Sequence, residues 1–297
     1  MYQKIMITLD GSQLAEVPLD YAVWLAVNSG AELQLMHIQE DESDKQSQYL
    51  EKTLAEIKHD RGNDFKASIV SKNGDPAEEI LRYAEESKID LIIMSTHGHT
   101  GIKRWMLGSV ADKVVRYSNR PVRLIKSFSS ETQADGYDRT VVALLDGSEM
   151  AEQLLPYASY HAELGAGRLI LLSVCEPPDL GPAITYHLIP PHDYPPKRPL
   201  QWDKYVKQEA KQRQQECHLY LEKAAQISEK EGITVKFEAP MGDPVEEILK
   251  YLEENSVSLV VMTTRGRSGI TRWLMGSVAE KVLLAAQSPI LLLKPRG

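Results

Sequence analysis

The chain has 297 residues, 42% of them apolar and 26% charged, with 34 Lys and Arg against 42 Asp and Glu and a formal net charge of −8. That length predicts one large domain or two ordinary ones, each able to bury a real core, and the composition excludes collagen-like, coiled-coil and wholly disordered chains. Net acidity without a long basic run argues against nucleic-acid binding. Two cysteines, Cys175 and Cys217, are too few for a disulfide framework and fit a reducing compartment. No apolar stretch approaches the roughly 20 residues of a membrane span, and the opening MYQKIMITLDGS lacks the charged and apolar regions of a signal peptide. A soluble cytoplasmic protein with no membrane or nucleic-acid partner is expected.

In chain order, Lys4–Leu9 is a short apolar run bounded by Asp-Gly-Ser, the pattern of a buried strand. Apolar residues at helical spacing over Leu14–Ser29 stop at Gly30, a common C-terminal signal. Leu33–Ile38 follows as a second strand, Gln46–Arg61 as a second helix and Phe65–Val70 as a third strand. Asp75-Pro76-x-Glu78 reads as a helix start, with Asp at the cap, Pro at the first turn and Glu completing a capping box. Ile89–Ser95 is a fourth strand, Ser109–Tyr117 a helix and Pro121–Lys126 a fifth strand. Strands alternating with helices give right-handed crossovers and a parallel sheet covered on both faces.

The same order then recurs. Asp10-Gly-Ser returns as Asp146-Gly-Ser at an offset of 136, and Gly74-Asp-Pro as Gly242-Asp-Pro at an offset of 168. Without gaps, 74–126 and 242–294 agree at 27 of 53 positions. Units of this size are domains rather than solenoid repeats, so the chain reads as a tandem duplication. The expected division is 1–127, a polar linker over 128–137, and 138–297. The strands of the second copy are expected at Val141–Leu145, Leu169–Val174, Val235–Glu238, Leu259–Thr263 and Ile290–Lys294. Its extra 32 residues hold a Pro-rich insertion at about 177–200, which is neither ordinary helix nor central strand. A long helix follows from about Trp202 to Glu231. The fold class is therefore α/β, with two tandem doubly wound parallel five-stranded sheets. The apolar fifth strands are expected to be edges through which the two copies pack.

Ligands in such sheets bind beyond the carboxyl ends of the strands, where strand order reverses. That points to Asp10, Ile38 and Ser95 and to their copies Asp146, Val174 and Thr263. After strand four, Gly98 and Gly108-Ser109 recur as Gly266 and Gly276-Ser277, nine residues separating each pair of glycines. The later glycine opens a helix in both copies. Glycines allow close backbone approach to a phosphate, and helix N-termini favour anions. One such helix end supplies only about 0.3–2 kcal/mol, so several donors must converge. The serine hydroxyls add donors there.

This constellation resembles the universal stress protein family, specifically its tandem-domain members, whose nucleotide motif is Gly-x2-Gly-x9-Gly-Ser/Thr with an Asp ending strand one. The resemblance covers nearly the whole chain apart from the linker and the Pro-rich insertion, and implies a Rossmann-like, adenine nucleotide alpha hydrolase-like fold. It implies that Asp10 and Asp146 bond ribose hydroxyls, and that the backbones of Ile38 and Val174 read an adenine edge. Ser95, Gly98, Gly108 and Ser109, with Thr263, Gly266, Gly276 and Ser277, would surround the phosphates of ATP accompanied by Mg²⁺. One departure stands out. The motif's first glycine is Ser95 here and Thr263 in the second copy, where a side chain either bonds the ligand or crowds it.

By that resemblance the chain is a stress-response sensor or regulatory module for a protein partner, a homodimer, and at most a slow ATPase. No P-loop, HExxH, or Ser-Gly-Gly-x-Asp-Ser loop of the ATP pyrophosphatases is present. Other readings stay open: a nucleotide-free interaction scaffold, a genuine enzyme on this fold, and Asp10 as a plain helix cap. Trp105 and Trp273 read as packing residues. His97 and His99 correspond to Arg265 and Arg267, which favours anion attraction over shared proton transfer. His37, His161 and His218 read as packing or surface residues, and both cysteines as inert. His187 and His192, five apart in the insertion, are a weak metal pair.

Overall fold

The computed structural model describes residues 1–39, 45–61, 65–96, 107–126, 137–178, 200–229, 233–265 and 275–295. The linker expected at 128–137 and the Pro-rich insertion therefore lie almost wholly outside the described residues. The first copy contains β1 (Lys4–Thr8), α1 (Gln13–Glu16), α2 (Leu19–Ser29), β2 (Glu32–Gln39), α3 (Lys45–Arg61), β3 (Ala67–Asn73), α4 (Pro76–Glu86), β4 (Leu91–Ser95), α5 (Ser109–Tyr117) and β5 (Val122–Ile125). The second contains β6 (Thr140–Leu144), α6 (Glu149–Glu152), α7 (Leu155–Leu164), β7 (Arg168–Leu172), α8 (Leu200–Ser228), β8 (Thr234–Glu238), α9 (Pro244–Glu254), β9 (Leu259–Thr263), α10 (Ser277–Ala285) and β10 (Ile290–Leu293).

The ten strands form one sheet of order β3-β2-β1-β4-β5-β10-β9-β6-β7-β8. Among the described residues each half is parallel throughout, and the halves are joined in the sheet by one antiparallel pair in which Ile290, Leu291 and Leu292 face Leu124, Arg123 and Val122. The expected two sheets are thus fused edge to edge, because each fifth strand covers the unpaired backbone groups of the other. Strand residues alternate between faces. Ile5 and Ile7 of β1 join the layer made by α2, α3, α7 and α8, with Leu25, Leu50, Ala158 and Leu221. Met6 joins the opposite layer under α4, α5, α9 and α10, with Ile80, Val114, Ile248 and Val282.

Local chemistry sets the element boundaries. The single helix expected over Leu14–Ser29 is broken into α1 and α2, because Pro18 has no N–H to continue the first turn and instead precedes α2. Asp75 caps α4 by accepting from the Glu78 amide at 3.0 Å, and Asp243 caps α9 by accepting from Val245 and Glu246 at 2.9 and 3.1 Å. Bonds from the Glu78 amide in particular hold the Asp75 carboxyl below its ordinary value.

A buried polar cluster lies where the halves meet, and nothing in the strand and helix pattern announced it. Arg123 on β5 donates through Nη2 to Oδ1 of Asp138 at 2.8 Å and through Nη1 to the Tyr21 hydroxyl at 2.6 Å. Its guanidinium carbon lies 3.6 Å from the Tyr21 ring centroid. The Tyr21 hydroxyl and His161 Nδ1 both donate to Oδ2 of Asp138, at 3.0 and 2.7 Å, and Tyr2 donates its hydroxyl proton to His161 Nε2 at 2.9 Å. Burial disfavours the charged imidazole, and a neutral ring with its proton on Nδ1, facing Asp138, leaves Nε2 to accept from Tyr2. Arg123 is 1% exposed, and Asp138 and His161 are not exposed at all. His161, expected as an ordinary packing or surface residue, thus belongs to a charge network. Asp138 is seated by the turn after α7, since a Cβ at Gly165 or Gly167 would run into the carbonyls of Asp138 or Arg139.

Burial alone would raise the Asp138 carboxyl, but Arg123 and His161 outweigh it and hold it at about 2. Burial pushes the His161 imidazole below its ordinary value of 6.5, and Asp138 opposes this only in part. Both groups bind fewer protons folded than unfolded, so both stabilise the fold above their unfolded pKa values and lose that contribution as pH falls. Urea unfolding across pH should show stability falling from about pH 6.5 downward through His161, and again between 3.8 and about 2 through Asp138. His161→Asn should flatten the upper part. Arg123→Met, which leaves the carboxylate buried without its cation, should cost about 3–5 kcal/mol. Arg123→Met with Asp138→Asn should cost less than Arg123→Met alone.

Candidate functional site

Within each half the chain crosses over between the first and fourth strands, leaving a crevice beyond their carboxyl ends. In the second half this crevice is a cavity of about 290 Å³. Asp146, Val174, Thr263, Gly276 and Ser277 line it together, from the ends of β6, β7 and β9 and the start of α10. Its apolar wall is Leu172, Pro244, Ile248 and Met262, and Glu176 and Arg265 stand at it as charged groups.

The Asp-Gly-Ser segment folds alike in both copies. Gly11 and Gly147 have φ of 80° and 81°, left-handed conformations that disfavour any side chain. The turn brings Ser12 back onto Asp10, whose Oδ1 accepts from the Ser12 amide at 2.9 Å and hydroxyl at 2.6 Å. Asp146 accepts from Ser148 in the same way at 3.0 and 2.6 Å. The serines, not the aspartates, cap the following helices: Ser12 Oγ accepts from Ala15 at 3.2 Å and Ser148 Oγ from Ala151 at 3.1 Å. The alternative of Asp10 as helix cap is therefore replaced by Ser12, and both carboxylates are fixed in orientation at the strand end.

Val174 presents backbone rather than side-chain chemistry. Ser173 and Cys175 donate their amides towards β8, to Glu238 at 3.1 Å and Pro240 at 2.8 Å, while the Leu172 carbonyl accepts from Leu145 on the other side at 2.9 Å. Alternate residues of a strand direct their N–H and C=O groups to opposite sides, so those of Val174 face the side where β6 has already ended. Ile38 stands likewise, between Met36, which accepts from Leu9 at 2.8 Å, and Gln39, which accepts from Gly74 at 3.4 Å. Both positions leave a donor and an acceptor on the crevice side of the sheet.

The phosphate-side elements follow the repeat. Gly108 and Gly276 precede α5 and α10 with φ/ψ of −60°/148° and −63°/147°, extended backbone open to any residue. Their amides donate to Thr96 and Thr264, each at 2.9 Å, which holds each helix start against the end of β4 or β9. The first-turn amides of a helix have no partner within it, and Ser277, Val278 and Ala279 of that turn line the cavity. The Thr263 hydroxyl donates to the Arg265 carbonyl at 2.5 Å, so the side chain replacing the motif's first glycine is satisfied by its own loop. Ser95, its copy, ends β4 and is buried. Gly98 and Gly266 lie outside the described residues, as do His97, His99, Lys103, Arg104, Trp105, Arg267, Arg272, Trp273, His187 and His192.

Of the remaining candidates, His37 is buried and donates through Nδ1 to the Leu9 carbonyl at 2.7 Å, while His218 donates from an exposed helix face to Gln214 at 2.9 Å. Cys175 is buried, and neither cysteine is in a disulfide. Pattern reading missed Glu176 and the apolar wall from α9. Their signal was present in the repeat, since Pro244 and Ile248 fall in the second Gly-Asp-Pro block.

A doubly wound sheet built twice, with matching Asp-Gly-Ser turns and Gly-Ser helix starts at the crevices, defines an adenine nucleotide alpha hydrolase-like fold in tandem. The universal stress protein family model matches residues 1–126 and again 137–294, and the chain belongs to that family. It is 29% identical over 150 residues to the universal stress protein YxiE of Bacillus subtilis, spanning 42% of this chain and all of that protein. It is 22% identical over 324 residues to Slr1230 of Synechocystis, covering 97% of this chain and 99% of that protein. A universal stress protein structure from Archaeoglobus fulgidus shares the fold end to end, with a TM-score of 0.66, 21% identity and 98% of each chain covered. Ser148→Ala, which removes both the cap of α6 and a donor to Asp146, should cost about 1 kcal/mol of stability. Thermal unfolding compared with Ser12→Ala checks that the two copies respond alike.

Proposed function

We propose that the chain is an ATP-binding universal stress protein, a sensor or regulatory module whose liganded surface is read by a protein partner, with at most slow hydrolysis. The observation that carries this reading is the second-half cavity, which unites Asp146, Val174, Thr263 and the Gly276-Ser277 pair from four separate stretches of sequence. Asp146 offers a carboxylate to ribose hydroxyls, and the Val174 backbone offers a donor and an acceptor to the adenine edge. The first turn of α10, with Ser277 and Arg265, offers amides, a hydroxyl and a positive charge to phosphates. Asp10, Ile38, Ser95, Gly98, Gly108 and Ser109 would do the same in the first half, with Gly266 joining the second set.

The residues fit the group. The wall is apolar where a base would lie, and the charged and amide groups gather at the helix end. The hydroxyl that replaces the glycine is bonded internally. Magnesium is held chiefly through substrate phosphates, so its place is with ATP rather than in a protein cage. We place the protein in the cytoplasm and divide it into domains over 1–127 and 138–297. Because β5 and β10 are paired with each other, a dimer of whole chains would use another face.

Gly276→Val puts a branched side chain at the helix entrance without straining a backbone that is already extended. Titration calorimetry with ATP and Mg²⁺ should show loss of one site in Gly276→Val, of the other in Gly108→Val, and of both in the double variant, with unfolding midpoints near wild type. Full ATP affinity in both single variants would sink the assignment. Absence of binding in the unaltered protein would favour the nucleotide-free scaffold.

A further inference from the structure

The repeat and the sheet register together place Arg123 on a local twofold relation between the halves. The offset of 168 makes Leu291 the counterpart of Arg123, and these two residues face each other across the antiparallel β5–β10 pair. The offset of 136 makes Tyr2 the counterpart of Asp138 and Leu25 the counterpart of His161. The buried cation therefore belongs to the first half, and its carboxylate and imidazole partners belong to the second.

We propose that this divided network makes the pairing of the halves exclusive: the β5 edge of the first half accepts the β10 edge of the second and rejects another copy of itself. Two first halves joined in the same geometry would set Arg123 against Arg123 at a position 1% exposed, with Tyr2 standing where each carboxylate is needed. Two second halves would set Leu291 against Leu291, burying two Asp138 carboxylates with no guanidinium. Each like pair buries charge without its partner, which is strongly unfavourable, whereas the unlike pair sets the Arg123 guanidinium on the Asp138 carboxylate through both terminal nitrogens. The apolar residues around it, Val122, Leu124, Ile290 and Leu292, show no such preference, since they are shared nearly unchanged between the two edges.

The test starts from the intact folded chain carrying a protease site in its linker. The chain is cleaved, unfolded in urea and refolded by dilution, and its complexes are weighed by native mass spectrometry. The expected result is one-to-one pairing of unlike halves with no like pairs above background. Like pairs in the statistical proportion, one quarter of each kind, would overturn the proposal. The same experiment with Arg123→Met should yield pairs of first halves while pairs of second halves stay absent. Continued exclusive pairing in that variant would place the selectivity elsewhere and equally overturn it. ATP plays no part in either readout, so the outcome is independent of the nucleotide assignment.

Discussion

The antiparallel contact between β5 and β10 is the constraint on which the rest of the molecule depends. It is short, three facing residue pairs, yet it turns two five-stranded sheets into one and fixes which helices flank the seam. Arg116 of α5 reaches across to Glu280 of α10 at 2.9 Å, and the Lys126 ammonium donates to the Leu284 carbonyl at 2.9 Å. Burial lowers that lysine to about 8, a sign of how closely the second half covers the end of β5. Beneath the sheet at the same place, Arg123 and Asp138 are buried from water, where pairing with an opposite charge makes each tolerable.

The crevices owe little to long side chains. Their parts are strand-end backbone, helix-start amides and one carboxylate held by a neighbouring serine, all consequences of where the strands stop. Such a site keeps its shape because the sheet keeps it, and the same turn chemistry recurs wherever Asp-Gly-Ser recurs. The two copies differ mainly in the groups set around that frame. Arg265 stands at the second cavity where the first copy has His97, and Ser173 stands where the first copy has the buried His37.

The repeat makes most of this architecture legible in the residues alone. Strands such as Leu259–Thr263 and helices such as Ser109–Tyr117 coincide with the expected bounds, because apolar periodicity and capping residues act locally. Asp146, Val174, Thr263, Gly276 and Ser277 were legible for the same reason, each sitting next to a strand end or a helix start, whereas Glu176 and the α9 wall of the same cavity were not. Pattern reading failed where the deciding contact was distant in sequence. Pro18 split a periodic stretch that looks continuous. Asp138 and His161 gained their meaning only from Arg123 and Tyr21, more than a hundred positions away for Tyr21. A lone histidine in a helix carries no mark of such a partner.

Joining the two halves through one polypeptide has a consequence for how the seam behaves on dilution. Separate subunits would part as their concentration fell, but a tethered partner is present at an effective concentration set by the connecting segment, of millimolar order for short flexible connections. The seam can then stay closed at any cellular abundance, even though it rests on few residue pairs. Within one chain each copy also need not serve on both sides of its own axis, so one edge can hold Arg123 and the other Leu291.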